Sequence, residues 1–523
     1  MAEENGNSQT TTTKDVEQLG IFAAIASLSY VFWVCGGMEM IERLAYYGVR
    51  GSSGLYITAP SAEGGLGLNF DDVSYLFLIW AIVQTFVPVL TGGLSDRFGY
   101  KETIFASTVF KILGYLIMAM NPTFWGFAIG AMVLAFGTGI FKPGLQGTIA
   151  KATNRQNSSM AWGVFYQTVN LGAFFGPILA VYLRQMSWDY VFYACAAIIS
   201  VNFLLLLIYK EPAKEERLAH RAKVKSGEIQ EGSLWRDSLK EIFKPAILGY
   251  IVIFSGFWFM LMAFWDIAPF YFRDWVDTST LITDVFGAGG TQNSIIIRLL
   301  SMNNDGMSIE PEGLVNLNSM LILFVCFIVA GYSAKLRATT SMALGTFMAS
   351  AALLTFAGTS AAWIIVGGII AFSIGEMLSS PKSSEYMANI APGDKKAMYL
   401  GFSQLPLGFG WILESFIGPR LYGAYASKEE MSRALLSDNG MSVAEIAEVV
   451  NGQAFAKLQE VTGVAGDVLT NQMYAANDVG FIWFIMGTVG IVSSVCMIYY
   501  GRWTYKLATQ AKQTVQAYSK AAE

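Results

Sequence analysis

The feature that most constrains this chain is a recurrence. Apolar runs long enough to cross a bilayer as helices, about 20 residues each, follow one another along all 523 residues. They are expected over 22–48, 72–94, 103–121, 124–150, 160–183, 188–209, 246–272, 314–336, 339–358, 361–386, 396–422 and 478–503, twelve in all. Hydrophobic residues make up 54% of the sequence and charged residues only 14%, against about a quarter charged in a soluble domain. Too little polar surface remains to coat a water-soluble body of this size. Lipid satisfies no backbone N–H or C=O, so each span must bond internally as a helix. The short alternating pattern of an outer-membrane barrel is absent. The expected class is an all-α membrane protein, multi-pass in the cell membrane, with the lipid bilayer as solvent.

Lys and Arg orient the spans. The segment 210–244 holds nine of them, among them Lys210, Lys214, Arg217, Arg221, Lys223 and Lys225. Arg97 with Lys101, Lys151 with Arg155, Lys335 with Arg337, Lys395 with Lys396, and the tail with Arg502, Lys506 and Lys512 fall on the same side. Opposite them, 51–71 has no base, and 424–478 has three against eight acids. Both termini are therefore expected to be cytoplasmic. The plan is a polar, disordered N-terminus 1–21, a six-helix bundle 22–209, a cytoplasmic linker 210–244, a second bundle 245–505 with outer loops 273–313 and 424–478, and a tail 506–523. In 424–478, Ser427 with Glu430 and Ser442 with Glu445 have the spacing of capping boxes, so short helices are expected there. The first apolar run is too long for a signal peptide and lacks a basic stretch before it. The four cysteines, Cys35, Cys195, Cys326 and Cys496, lie apart within spans and offer no metal site or disulfide pattern. A net charge of −5 leaves no nucleic-acid footprint.

Five stretches carry chemistry. Between spans 2 and 3 stands Gly92-Gly93-Leu94-Ser95-Asp96-Arg97-Phe98-Gly99-Tyr100-Lys101, whose glycines permit a tight turn and whose charges sit where the two bundles can pair. In span 1, Glu39-Met40-Ile41-Glu42-Arg43-Leu44-Ala45-Tyr46-Tyr47-Gly48 places three charges in an apolar helix. Such charges are costly, so the face carrying Glu39, Glu42, Arg43, Tyr46 and Tyr47 must look into the bundle or a wet cavity. Span 4 holds Gly137-Thr138-Gly139-Ile140-Phe141-Lys142-Pro143, span 5 Phe165-Tyr166-Gln167-Thr168-Val169-Asn170-Leu171-Gly172, and span 10 Gly375-Glu376-Met377-Leu378-Ser379-Ser380-Pro381 with Ala391-Pro392 downstream.

The first stretch resembles the major-facilitator loop motif GxLxDRxGxK. The other four resemble ExxERFxYYG, GxGxxKP, FYxxINxG and GExxxSP of the proton-dependent oligopeptide transporter family of that superfamily, in family order, across most of 30–420. Span 7 departs: the run Phe257-Trp258-Phe259-Met260-Leu261-Met262-Ala263 has Met262 where the family carries an acid, and Asp266 is the next acid, about 6 Å further along the axis. Span 8 reads Asn316-Leu317-Asn318-Ser319, and span 11 lacks the usual Trp after Gly401.

The charges place a positive pole, Arg43 and Lys142, in the first bundle and a negative one, Glu376, in the second. The resemblance implies the major-facilitator fold, with twelve helices in two six-helix bundles, and a proton-coupled importer of di- and tripeptides working by alternating access. It implies peptide carboxylate towards Arg43 and Lys142, amino group towards Glu376, contacts from Tyr46, Tyr47, Tyr166, Asn170 and Trp258, and a gating loop of Gly92, Asp96, Arg97, Gly99 and Lys101. Glu39, Glu42, Arg43 and Asp266 are the proton-coupling candidates. Two positions stay open for Asp266: paired with Lys142, or solvated near the outer end of span 7. An antiporter exporting amphipathic compounds, or a carrier of another substrate, is the alternative reading. No HExxH, GxSxG or P-loop pattern favours an enzyme or a pump, and the one histidine, His220, lies in the basic linker. No cofactor or metal is expected beyond the proton gradient, and the bundle pair is expected to act as a monomer.

Overall fold

The computed structural model describes residues 21–91, 94–154, 156–212, 214–226, 228, 239–392 and 396–522. The N-terminus to residue 20, Gly92, Arg155 and Lys395 lie outside them, as do the side chains of Asp96 and His220.

Twelve long helices carry the fold: α1 Tyr30–Thr58, α2 Phe70–Thr91, α3 Tyr100–Met120, α4 Phe124–Ala152, α5 Ser158–Arg184, α6 Trp188–Ile208, α7 Pro245–Asp266, α8 Pro311–Ser333, α9 Ala338–Ala357, α10 Ala362–Ile390, α11 Leu405–Tyr425 and α12 Phe481–Ala522. Ten are long and apolar enough to cross a membrane by length and composition. The other two are α1, with Glu39, Glu42, Arg43 and Arg50, and α11, with Glu414 and Arg420 among its glycines and prolines.

Helix ends follow local chemistry. The expected run 22–48 divides at Ser27–Ser29, after a short helix Ile21–Ala26. Ser29 then caps α1, its side chain accepting from the Phe32 N–H, and α1 runs on past Arg50 to Thr58. The run 246–272 breaks after Asp266, where Pro269 stands in the first turn of a separate helix, Ala268–Trp275. The run 396–422 breaks before Pro406, in the first turn of α11. Proline fits the first turn, where its missing N–H has no helical partner.

The two halves pack alike. In the first, α1 lies against α5 and α6, α3 against α4 and α6, and α2 against α4. In the second, α7 lies against α11 and α12, α9 against α10 and α12, and α8 against α10. Adding six to each helix number converts one set into the other, so the halves form a parallel repeat. The halves meet through α2 with α11 and α5 with α8. Glycines set two close approaches. A Cβ on Gly172 of α5 would stand 2.6 Å from the Met40 carbonyl oxygen and from Arg43 Cβ, and one on Gly137 of α4 would stand 2.9 Å from Lys111 Cγ. The first brings α5 against the charged stretch of α1, and the second packs α4 on α3, whose Lys111 reaches Glu42.

One face carries the short helices between α7 and α8 and between α11 and α12; we call it the cap face, and the opposite one the linker face. The segment 424–478 folds into helices Lys428–Asp438, Val443–Glu448, Ala454–Thr462 and Gly466–Ala476. Ser442 and Glu445 form a complete capping box, and the Ser442 hydroxyl and N–H hold the Glu445 carboxyl below the usual carboxylate range. Ser427 caps the Glu430 N–H. Trp275 Nε1 donates to the Ala426 carbonyl at 2.8 Å, seating this cap on the second bundle.

Among the described residues, polar contacts between the bundles lie in the cap-face halves. Arg184 of α5 binds Glu312 through Nε and Nη2 at 2.7 and 2.8 Å, and Glu310 at 2.7 Å. Arg420 of α11 pairs with Asp71 of α2 at 3.1 Å. Ser74 donates to the Phe416 carbonyl at 2.8 Å, Asn316 to the Phe174 carbonyl at 2.9 Å and Arg273 to Thr58 at 3.1 Å. The cap face is thus closed. Replacing Arg184 by Leu leaves Glu312, whose side chain is 1% exposed, without its cation. Spin labels at positions 186 and 285, both exposed in the wild type, are expected to report a longer and broader distance distribution in Arg184→Leu.

Candidate functional site

Two buried ionic clusters lie along α1, two helical turns apart. The first holds Glu39, Glu42 and Arg43, which are 4%, 0% and 3% exposed. Arg43 is ion-paired to both acids, with Nε 3.3 Å from Glu39 Oε1. The other oxygen of Glu42 meets Lys111 Nζ of α3 at 3.3 Å and accepts from Thr138 of α4 at 3.4 Å. Lys111 is wholly buried, its ammonium 3.6 Å from the centre of the Phe141 ring. Lys142, half-buried on α4, forms no ion pair among the described residues; Arg43, Glu39 and Glu42 are the charges that act on it. The cluster holds two acids and three bases, so with every group ionised it carries one uncompensated positive charge.

Across from it stands Glu376 of α10, held by Asn318 Nδ2 at 2.9 Å, while the same amide nitrogen lies 3.1 Å from Ser373 Oγ. Tyr47 lies between the clusters: Arg43 and Glu376 both act on its hydroxyl, and the Arg43 guanidinium sits 4.8 Å from the Tyr46 ring centre and 5.8 Å from that of Tyr47. Tyr46 donates to Gln84 at 3.1 Å. Tyr166 is 39% exposed, although it sits in a membrane helix, and Glu376 is the nearest acid acting on it. Asn170 Nδ2, Gln167 Oε1 and Trp258 Nε1 are buried without a hydrogen-bond partner, which leaves polar capacity for a ligand or water.

The second cluster corrects the reading of Asp266. That residue is 2% exposed, so it is not solvated, and it does not reach Lys142. It is ion-paired to Arg50 of α1 and accepts from Trp411 Nε1 at 3.3 Å. Arg50 is clasped by the rings of Phe77, Trp80 and Trp411 at 4.5, 5.4 and 5.3 Å from their centres. Asp266 therefore ties the second bundle to α1 itself. Glu414 of α11, also wholly buried, lies beside Asp266. Trp411 supplies a helix 11 tryptophan, ten residues beyond Gly401, because α11 begins only at Leu405.

In the loop between α2 and α3, Gly99 has φ 117°, and a Cβ there would fall 2.0 Å from Glu102 Oε2, so the position demands glycine. Lys101 Nζ donates to the Tyr209 carbonyl at 3.2 Å and Arg97 is exposed. The described charges of this loop thus stay within the first bundle, contrary to the expectation that they pair across the two.

Arg50, Lys111, Glu414 and Trp411 were not singled out from sequence. Lys111 and Glu414 lie inside expected spans, and that alone marks an ionisable residue. Arg50 lies two residues past the expected end at 48, while the helix runs on to Thr58.

The Major Facilitator Superfamily model matches residues 43–415. The chain belongs to that superfamily. Within it, the chain is similar in sequence to peptide transporters. It is 27% identical over 198 residues to the uncharacterized transporter YclF of Bacillus subtilis (strain 168), covering 37% of this chain and 39% of that protein. It is 30% identical over 162 residues to the peptide transporter YePEPT of Yersinia enterocolitica subsp. palearctica serotype O:3 (strain YE-P4), covering 29% and 31%. These two alignments thus span less than half of either relative. Over a longer stretch, 448 residues, it is 22% identical to dipeptide and tripeptide permease A of Proteus mirabilis (strain HI4320), covering 76% of this chain and 86% of the permease. The fold matches a POT family transporter crystallised with 5-aminolevulinic acid at a TM-score of 0.64 and 14% identity, over 94% of this chain and 99% of that one.

The first cluster makes a stability prediction. Removing one partner of a buried ion pair costs about 3–5 kcal/mol. Lys111→Met is expected to lower the melting temperature in detergent, and adding Glu42→Gln to restore much of the loss. Additive losses in the double variant would show that the two side chains are not coupled.

Proposed function

We propose that this transporter is a proton-coupled importer of small zwitterions, di- and tripeptides foremost, working by alternating access with the linker face cytoplasmic. The observation that carries the reading is the opposition of two poles across the bundle interface. The five-residue cluster on α1, α3 and α4 has a surplus positive charge, which a substrate carboxylate neutralises beside Arg43 and Lys142. Glu376 stands on the other bundle to receive an ammonium. Tyr47, Tyr166, Asn170 and Trp258 line the space between, and Tyr46 backs Arg43. The similarity to peptide transporters supports the same substrate class.

Coupling follows from competition. A carboxylate that takes up Arg43 weakens its hold on Glu39 and Glu42, and one of them accepts a proton in exchange. The Arg50–Asp266 pair, which joins α1 to α7, couples that event to the meeting of the bundles. No cofactor takes part, since the proton gradient supplies the free energy.

In proteoliposomes, an inward acid gradient is expected to drive accumulation of dialanine. Glu42→Gln abolishes accumulation and keeps counterflow. A wild-type protein that shows no dipeptide counterflow, or that extrudes amphipathic cations against the gradient, overturns the reading. Glu376→Gln is expected to lose free dipeptides by at least tenfold in uptake, a difference of about 1.4 kcal/mol, while N-acetylated ones are spared. Equal losses for both would remove Glu376 from contact with the amino group.

A further inference from the structure

Glu414 has no place in the mechanism above, yet it is wholly buried at mid-α11 and neither carboxyl oxygen receives a hydrogen bond. Gly418, one turn on, leaves it room, since a Cβ there would lie 2.2 Å from Glu414 Oε1. The group beside it is Asp266 of α7, and Arg50 of α1 stands on the far side of Asp266. From α2 the nearest charges are Asp71 and Asp72, at the cap end, with Asp71 held by Arg420. The described charged side chains of α12, Arg502 and Lys506, stand at the linker end. Two carboxyls therefore share one cation in a dry pocket. Both oxygens of Asp266 already have donors, Arg50 and Trp411. Two carboxylates are both acceptors and cannot bond to each other, whereas a carboxylic acid can donate to a carboxylate.

We propose that Glu414 holds a proton, donated in a hydrogen bond to Asp266, whenever the cap face is closed, and that this proton sets the pH range in which that face opens. The idea rests on the proton-coupled reading but uses a site apart from Glu39 and Glu42. On opening, α1 withdraws Arg50, and Asp266 and Glu414 meet water from the cap side. The closed state then binds one proton more than the open one. By linkage, acid favours closure and alkali favours opening, with the closed-to-open ratio changing by up to about tenfold per pH unit.

The test uses spin labels at positions 186 and 285, with the four native cysteines replaced, in lipid nanodiscs without substrate or gradient. In the wild type the short-distance fraction is expected to grow as pH falls. Glu414→Gln, which is permanently neutral and still able to donate, should remain closed across the pH range. Glu414→Asp should restore the dependence with a displaced midpoint. An infrared band of a protonated carboxyl, present in the closed wild type and lost in Glu414→Gln, gives an independent reading if labelled variants fold poorly. A wild-type distance indifferent to pH, an unaltered midpoint in Glu414→Gln, or no carboxyl band assignable to Glu414 each overturns the proposal. Acid-driven dipeptide uptake can persist in all three cases, so the failure of this idea is distinct from that of the transport reading.

Discussion

The expense of an ionised side chain inside a membrane governs this structure. α1 carries Glu39, Glu42, Arg43 and Arg50, too many for a lipid-facing helix, so other helices must enclose it. α5 does so through Gly172 and Gly176, whose missing side chains let its backbone reach that of α1. α3 and α4 close the remaining side and supply Lys111, Thr138 and Lys142. α7 and α11 complete the enclosure from the second bundle with Asp266, Trp411 and Glu414. The charged helix is thus the point at which the two bundles are obliged to meet.

Closure on one face follows from the same economy. The bundles touch where acids and bases alternate across them: Arg184 with Glu310 and Glu312, Arg50 with Asp266, Arg420 with Asp71. Each pair crosses between bundles, so each must be broken when that face opens. On the linker face, Lys101 and the linker pair Arg217–Glu211 are satisfied without the second bundle. Contacts within one bundle do not resist its tilting, and contacts between bundles do.

Much of this was legible in the sequence because hydropathy and intramembrane charge are local signals. The twelve helices and the cluster of Glu39, Glu42 and Arg43 rest on runs of residues that a linear reading sees. Three things were not. The breaks before α1, after α7 and before α11 depend on a serine cap and two prolines inside apolar stretches, where hydropathy alone runs straight through. The partner of Asp266 depends on helix rotation and depth. Two positions stood open for Asp266, at Lys142 or in solvent, but α7 delivers it two turns of α1 above Arg43, opposite Arg50. Lys111 and Glu414 carried a signal that went unread: each is an ionisable residue in an apolar span without a recognised motif around it.

The two clusters on α1 are separated by seven residues from Arg43 to Arg50, about 10 Å of helix. Tyr46 and Tyr47 occupy the space between, with Tyr46 over Arg43 and within reach of Arg50, and Tyr47 packed on Trp265 of α7 at 5.9 Å. A change of charge at Arg43 is therefore felt at Arg50 through one rigid helix and two rings, without any long relay. The relation runs both ways, since α1 cannot withdraw Arg50 from Asp266 without moving Arg43 relative to Glu376. Under the proposed function, binding at the lower cluster and closure at the upper one would be two ends of a single lever, set a short distance apart on α1.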